Sequence, residues 1–290
     1  MSKAKKLPHN VYGLPAAGSA QKTVMICAFE GWNDAGAAAS ESISFLERTF
    51  AASPVENFAT EDFYDLTQMR PVLTSQEDGS SQLTWPQLTV SELALSQHNL
   101  RILLLSGPEP TYRWKALLGQ IFTFTRSQQV DHLILLGALL AEVPHTRAFP
   151  VGISSFSADL QGQPGIERQT YTGPTGITGV LALQAAQHQL TDLSIWVSVP
   201  HYAGHPPHPK ASFALLQALE AVLDISLLLD PLEEEVHAWE RGAVELMEEE
   251  PELAEYVAQL EEETDSDPLQ GISGEDIAAE LERFLKRRDQ

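Results

Sequence analysis

Apolar runs without regular alternation recur along the first 200 residues and predict buried strands. Both faces of such a strand are covered, as in a parallel sheet that lies between layers of helices. The runs are TVMICAF (23–29), RILLLSG (101–107), HLILLGALL (132–140), VGISSFS (151–157) and LSIWVSV (193–199). We expect these five strands to run in the same direction.

Segments with apolar residues at helical spacing separate most of these runs. They cover residues 35–48, 111–128, 176–190 and 209–223. Strands that alternate with helices predict an α/β fold, here a three-layer α/β/α sandwich with a mostly parallel sheet. Residues 55–90 interrupt the alternation, and the turn EDGSS within them predicts an antiparallel β-hairpin at the edge of the sheet.

The pattern changes at Pro231, after which only helices are predicted. Residues 231–290 hold 20 Asp and Glu against five Lys and Arg, so most of the chain's net charge of -22 lies there. We therefore expect an α/β core domain over 1–230 and an acidic, all-helical C-terminal region over 231–290. Within that region Pro251 opens a second helix and Ser273 caps a third. The apolar stripe of the third helix is Ile277, Leu281, Phe284 and Leu285.

The composition limits the classes of partner. A chain of 290 residues with a net charge of -22 lacks the basic face that nucleic acids and anionic lipids require. The start MSKAKKLPHN has no apolar segment of a secretory signal, and no apolar run approaches the ~20 residues of a membrane span. We expect a cytoplasmic protein without nucleic-acid or membrane partners. Its one cysteine, Cys27, lies in an apolar run and is typical of a buried small hydrophobe.

Polar side chains follow several of the predicted strands. Ligands of parallel sheets bind beyond the carboxyl ends of the strands, so these residues predict a binding site for a small ligand. The candidates are Glu30, Asn33 and Asp34 in FEGWNDAG, Glu109 and Arg113 in SGPEPTYRW, Arg147 in VPHTR, and His201 in PHYAGHPPHPK. The alternative for the first stretch is structural, because Asn33 or Asp34 would also cap the helix that follows.

A glycine-rich stretch, GPTGITGVL (173–181), precedes another predicted helix. Backbone N–H groups near Gly176 and Thr178 would hold an anion with help from Arg147, or the glycines would only allow close packing of helix and sheet. The spacing matches neither a P-loop nor a dinucleotide fingerprint, so no cofactor is expected. The three histidines of the proline-rich segment 200–210 favour a surface turn over a metal site. No G-x-S-x-G elbow is present, and we assign no catalytic residue.

Seven motifs occur together in a characteristic order along the chain. They are FEGWNDAG, EDFYDLTQMRP, SGPEPTYRW, VPHTR, GPTGITGVL, PHYAGHPPHPKASFALL and SGEDIAAELERFLK. In this order they resemble the proteasome assembly chaperone 2 family in its actinobacterial form, from Val24 to Lys286. The resemblance implies a core similar to the purine nucleoside phosphorylase fold, an added C-terminal helical region and frequent homo-oligomers.

Two functional hypotheses follow. The resemblance favours a non-catalytic protein-binding or assembly-chaperone-like protein, whose partners are other protein chains, including proteasome-related ones, and further copies of itself, with a trimer expected. The polar strand ends favour the alternative, an enzyme or sensor that binds a small nucleoside-like or anionic ligand. A fold similar to that of the phosphorylases does not by itself transfer their activity.

Overall fold

The computed structural model of the chain describes residues 21–58, 61–76, 78–95 and 99–266. Its strands are β1 (Lys22–Glu30), β2 (Ser53–Phe58), β3 (Val72–Ser75), β4 (Ser81–Thr84), β5 (Leu88–Glu92), β6 (Leu100–Pro108), β7 (His132–Ala141), β8 (Val151–Ser155), β9 (Glu167–Arg168) and β10 (Thr191–Pro200). Its α-helices are α1 (Ala38–Thr49), α2 (Trp114–Ser127), α3 (Ile177–Ala185), α4 (Pro209–Leu223), α5 (Asp230–Glu249) and α6 (Pro251–Ser266).

Eight strands form one central sheet in the order β2-β5-β6-β1-β7-β10-β8-β9. The four strands in its middle, β6, β1, β7 and β10, run parallel. Strands β5 and β8 run opposite to these four, because β5 pairs antiparallel with β6 and β8 pairs antiparallel with β10. The predicted fold class, an α/β protein with a mostly parallel sheet and flanking helices, is confirmed.

Strand β1 shows how the sheet divides the core into two layers. Val24, Ile26 and Ala28 pack with residues of α1 and α4, whereas Met25, Cys27 and Phe29 pack with residues of α2 and α3. All six side chains are at most 1% exposed, which explains why this strand is a continuous apolar run. Burial of each large apolar side chain stabilises the fold by about 1.5–3 kcal/mol.

The two C-terminal helices extend the layer of α1 and α4. Leu232 at the start of α5 is buried in the same core cluster. Trp239, about two turns later in the same helix, packs against that cluster. Helix α6 follows directly after Glu250. The division of the chain at residue 230 into two domains stays a prediction, and the predicted third helix around Ser273 lies outside the described residues. None of the described helices is both long enough and apolar enough to cross a membrane.

The prediction that all five apolar runs are parallel was wrong for the fourth. Strand β8 is antiparallel to β10, with Ile153 opposite Ile195. The physical reason is the connection from β7 to β8, which spans only residues 142–150 and contains no helix. A parallel neighbour needs a crossover of a dozen or more residues, whereas an antiparallel strand needs none.

The prediction of one hairpin over 55–90 at the sheet edge was wrong in part. The edge is formed by β2 and β5, which pair antiparallel, and the hairpin β3–β4 inserted between them forms a two-stranded sheet of its own. Gly79, with φ of +82°, lies in the turn of that hairpin, where a residue without Cβ adopts the left-handed conformation at no steric cost.

Candidate functional site

The carboxyl ends of the four parallel strands lie along one edge of the sheet, which we call the rim. Glu30 ends β1, Glu109 follows β6, and the 3-10 helix His201–Ala203 follows β10. Residues 142–150 leave the rim after β7. All nine predicted site residues lie on segments that border this edge. Five of these residues nevertheless form a first group, and the other four, which we call the second group, each have different surroundings.

The first group contains three carboxylates, Glu30, Asp34 and Glu109, which we call the acidic cluster. The backbone N–H of Glu109 donates to the backbone oxygen of Glu30 at 2.9 Å, which fixes the two loops side by side. The Glu109 carboxylate accepts a hydrogen bond of 2.8 Å from the N–H of Ile177, the first residue of α3. The amino end of α3, predicted to hold an external anion, thus binds a carboxylate of the protein itself.

Asp34 has a similar structural role at the start of α1. Its Oδ1 accepts from the N–H of Ala39 at 2.7 Å and of Ser40 at 3.2 Å, and its Oδ2 accepts from the Ser40 hydroxyl at 2.5 Å. Backbone N–H groups in the first turn of a helix have no acceptor within the helix itself. The Asp34 carboxylate supplies that acceptor and so caps α1. Asp34 therefore has the capping role that the sequence predicted as the alternative for this stretch.

Burial sets the protonation behaviour of the acidic cluster. Desolvation raises the pKa of Glu30, Asp34 and Glu109 above their ordinary values, and the charges of Asp34 and Glu41 raise the pKa of Glu30 further. Among the described residues, no Lys or Arg forms an ion pair with any of the three carboxylates. Such a cluster accepts hydrogen bonds and repels anions.

Asn33 and Gly176 lie against the acidic cluster. The Asn33 backbone oxygen accepts from the N–H of Ala138 at 2.8 Å, which attaches the loop to β7. The Asn33 side-chain oxygen is buried and has no hydrogen-bond partner among the described residues. A Cβ on Gly176 would lie 2.0 Å from that oxygen and 2.8 Å from Oε1 of Glu109, so glycine is required for this close approach.

Arg147 belongs to the second group and binds α6. Its guanidinium contacts Oδ2 of Asp265 at 2.9 Å and Oε1 of Glu261 at 3.2 Å. The bonds to both carboxylates raise the pKa of Arg147, with the bond to Asp265 as the largest cause. The described hydrogen bonds of this guanidinium are therefore with α6 and with the adjacent Thr146, and none is with Gly176 or Thr178.

The other three residues of the second group each have their own surroundings. Arg113 pairs with Asp62 and lies over the Phe63 ring at 5.9 Å. His201 contacts the rings of Tyr202 and Tyr256, at 5.7 and 5.6 Å. Thr178 is 1% exposed, and its hydroxyl lacks a partner in the described part of the chain. The structure thus brings together Glu30, Asn33, Asp34, Glu109 and Gly176, but not the two arginines or the imidazole.

A cluster of buried rings beside the rim was missed from the sequence. His208, predicted in a surface turn, is 0% exposed and lies 4.2 Å from the Trp239 ring and 5.3 Å from the Phe149 ring. Burial lowers the pKa of His208 to about 4. His145 is also buried, and its Nδ1 lies 2.9 Å from the Tyr202 hydroxyl. The signal in the sequence was Pro209, which is typical of the first turn of a helix and so places His208 at the start of α4.

Lys210 links this ring cluster to α5. Its ammonium donates to the backbone oxygen of His145 at 2.6 Å and to Oε1 of Glu240 at 2.7 Å. Lys210 thus binds α5, and Arg147 binds α6. These two basic side chains attach the acidic C-terminal helices to the core. In the described residues no three His, Cys, Asp or Glu are grouped so that they could hold a metal ion.

One surface depression lies apart from the rim, between helix α2 and edge strand β2. We call it the α2–β2 groove; its lining includes Phe58 and Phe124 together with the small residues Ala116, Gly119 and Thr123. None of the predicted site residues lines it.

The sheet, the helices on both of its faces and the two C-terminal helices define a three-layer α/β protein with a helical extension. A model of the PAC2 family matches residues 28–247, and the chain belongs to the PAC2 family. No curated protein matches it. The motif-based resemblance to this family is thus confirmed.

Two solved structures from actinobacteria are similar over their whole length. One is a PAC2 family protein from Streptomyces avermitilis, with 36% identity, a TM-score of 0.76, and coverage of 81% of this chain and 100% of that chain. The other is a proteasome-assembly chaperone homologue from Mycobacterium tuberculosis, with 39% identity, a TM-score of 0.73, and coverage of 81% and 99%.

A more distant structure shares the fold. It is an archaeal homologue of proteasome-assembly chaperone from Pyrococcus furiosus, with 17% identity, a TM-score of 0.56, and coverage of 86% of this chain and 97% of that chain. These comparisons leave the predicted likeness to the purine nucleoside phosphorylase fold a prediction.

Proposed function

We propose that the chain is a non-catalytic, chaperone-like protein of the PAC2 family that binds other protein chains, including proteasome-related ones, in the cytoplasm. The observation that carries the proposal is the 39% identity with the proteasome-assembly chaperone homologue, over 99% of that chain. We also propose that copies of the chain associate with each other, with three as the expected number.

The geometry of the rim supports a non-catalytic role. A phosphate or nucleotide site needs cations or free helix N–H groups aimed at the ligand. Here Arg147 binds Glu261 and Asp265, Arg113 binds Asp62, and Glu109 binds the amino end of α3. The groups that would hold an anion are already paired with carboxylates of the chain.

The outer face of α5 supports a protein partner. Val244 is 48% exposed and lies on one face of the helix with Glu245 and Glu248, whose carboxylates are also exposed. An apolar centre with an acidic border suits a partner whose surface carries basic residues around an apolar patch. We assign this face of α5 as the contact with the partner chain.

An assembly reaction tests the proposal. Purified α and β subunits of the proteasome from the source organism are mixed with and without the chain, and native gels follow the appearance of the assembled particle. We expect faster assembly with the wild-type chain and a loss of that effect in a Val244→Asp, Glu248→Lys variant. The matched control carries Val72→Asp and Glu61→Lys, which change an exposed valine and an exposed glutamate away from α5. Unchanged assembly kinetics with the wild-type chain would contradict the proposal.

The Asn33 oxygen favours the second candidate, a sensor or enzyme for a small ligand. A buried acceptor without a partner costs about 1–3 kcal/mol, and a donor on a ligand, such as the amino group of a nucleobase, would recover it. Thermal-shift measurements with nucleosides, nucleotides and phosphate test this, since a ligand at 100 times its Kd adds about 2.7 kcal/mol of stability. A shift that Asn33→Ala removes would favour this candidate, and no shift across the panel would dismiss it.

A further inference from the structure

A second surface depression lies at the edge of the sheet opposite the rim. Helices α1 and α4 follow β1 and β10 and return from the rim, so their last residues lie at the amino ends of these strands. Between these two helix ends and the chain after β5 is a groove of about 770 Å³, which we call the amino-edge groove. Six of its ten lining residues are apolar: Phe50, Ala94, Leu95, Ala221, Ile225 and Leu228.

The apolar lining of this groove is open to solvent in the described structure. Leu228 is 56% exposed, and Phe50 and Leu95 are partly exposed. Apolar side chains that are grouped in a surface groove mark a contact with another segment or molecule. The groove therefore needs an occupant that brings apolar side chains of its own.

The chain enters the described structure beside this groove. The N–H of Lys22 donates to the backbone oxygen of Asn99 at 2.9 Å, and β6 lies between β1 and β5. Neighbouring strands are about 4.8 Å apart, so the start of β1 lies about 10 Å from the chain that leaves β5 toward Leu95. Residues 1–20 precede this point and lie outside the described residues. An extended residue spans about 3.3 Å, so a few residues are enough to reach the groove.

The other segments outside the described structure fit the groove less well. Residues 59–60, 77 and 96–98 are too short to fill it. Residues 267–290 follow the end of α6, where Asp265 binds Arg147 at the rim, and so start from the opposite edge of the sheet. Position along the fold thus favours residues 1–20 as the occupant.

Charge favours the same segment. Residues 1–20 contain Lys3, Lys5 and Lys6 and no Asp or Glu, although the whole chain has a net charge of -22. The groove carries the carboxylates of Glu220 and Asp224, and neither forms an ion pair with another described residue. A basic segment beside these carboxylates is attracted to the groove, whereas most of this acidic chain is repelled.

The stretch LPHNVYGLP (7–15) supplies the apolar side chains that the groove needs. They are Leu7, Val11, Tyr12 and Leu14. Pro8 and Pro15 each fix one backbone dihedral, so the stretch loses less conformational entropy when it binds. Proline-containing segments with apolar side chains are typical ligands of shallow apolar grooves.

We propose that residues 7–15 of the chain lie in its own amino-edge groove, with the three lysines beside Glu220 and Asp224. The segment then covers Leu228 and joins the start of β1 to the connection between α4 and α5. This contact uses neither the acidic cluster nor the face of α5 that contains Val244. It therefore goes beyond the proposed function and stands or falls separately from it.

Disulfide formation between introduced cysteines tests the inference in the full chain. The test pair is Asn10→Cys with Ser226→Cys, which leaves every apolar side chain of the stretch and the groove in place. The control pair is Asn10→Cys with Gln187→Cys, since Gln187 is exposed at the same edge of the sheet in the layer of α3. Cys27 is 0% exposed and does not compete. A disulfide needs Cα atoms about 4–7 Å apart, so the rate of oxidation reports how often the two positions meet.

We expect the test pair to form a disulfide within one chain at least about tenfold faster than the control pair, as measured on non-reducing gels and by peptide mass. Lys3→Glu, Lys5→Glu and Lys6→Glu together should slow the test pair several-fold, whereas arginine at the same three positions should not. Equal rates for the two pairs, or no effect of the charge reversal, would overturn the inference. A covalent dimer as the main product of the test pair would also overturn it, because the groove would then hold the segment of a second copy.

Discussion

The carboxylate of Glu109 accepts the backbone N–H of Ile177 at 2.8 Å and so fills the amino end of α3. This contact joins the loop after β6 to a helix that begins 68 residues later. It also explains why the glycine-rich stretch before α3 looks like an anion site in the sequence, since an anion is bound there and belongs to the chain.

Removal of the Glu109 carboxylate is expected to destabilise the fold. Glu109→Ala leaves the Ile177 N–H without its acceptor, and loss of such a helix cap costs about 1 kcal/mol. Glu109→Gln keeps an oxygen acceptor and is expected to lose less than the alanine variant. Urea unfolding measures the free energy of unfolding of all three proteins. Equal stability of Glu109→Ala and the wild-type chain would contradict the role of this contact.

Two glycine-to-alanine substitutions are expected to act in opposite directions. In Gly176→Ala the new Cβ would overlap Asn33 and Glu109, and such overpacking typically costs about 1–3 kcal/mol. In Gly119→Ala the Cβ meets open space on α2, and alanine stabilises a helix interior relative to glycine by about 1 kcal/mol. Thermal unfolding should give a lower Tm for the first variant and an equal or higher Tm for the second.

Loss of Arg147 is expected to loosen α6 without unfolding the core. The side chain binds Glu261 and Asp265, so Arg147→Ala should increase the hydrogen-exchange rates of amides in 251–266 several-fold. The matched control is Arg113→Ala, which breaks the ion pair with Asp62 and should leave those rates unchanged. Hydrogen exchange followed by mass spectrometry measures the amides of α6 separately from those of the core. Identical exchange of α6 in Arg147→Ala and the wild-type chain would refute this docking role.

His208 is expected to make stability depend on pH. Burial lowers its pKa from 6.5 to about 4, so between these values the unfolded chain binds a proton at this residue and the folded chain does not. The stability from the neutral ring is present above pH 6.5 and is lost as the pH falls through 4. The change amounts to about 3 kcal/mol.

A variant isolates this contribution from that of the acidic cluster. The raised pKa values of Glu30, Asp34 and Glu109 act in the opposite direction, because those groups favour the folded state at low pH. The difference in unfolding free energy between the wild-type chain and His208→Phe should therefore change by about 3 kcal/mol between pH 7 and 4. Replacement of the exposed His205 by alanine should leave the dependence of the wild-type chain in place. A constant difference for His208→Phe would contradict the assignment.

Most of the fold could be predicted from the sequence, because buried strands and helices have distinct apolar patterns. Cys27 and its neighbours form a continuous apolar run, since both faces of β1 are covered. Direction was harder to predict, because an apolar run such as VGISSFS is the same whether the strand is parallel or antiparallel. The short connection over 142–150 is the signal for the direction of β8, because it is too short for a crossover between parallel neighbours.

The candidate site could be predicted only as a set of loops. Strand order determines that Glu30 and Glu109 border the same edge, but the choice of partner for each side chain depends on contacts far apart in the sequence. Arg147 pairs with Asp265, 118 residues away, in a region with many other carboxylates. Pro209 indicates that His208 lies at the start of a helix, but the burial of His208 depends on Trp239 of α5, which no local pattern indicates.

Sedimentation velocity of the purified chain mixed with unassembled proteasome α subunits tests the proposed function most directly. A chaperone-like protein of this family is expected to form a complex that sediments faster than either component and contains both. The Val244→Asp, Glu248→Lys variant is expected not to enter the complex. Two boundaries that sediment as the separate components at every ratio of the wild-type chain to the subunits would contradict the proposed function.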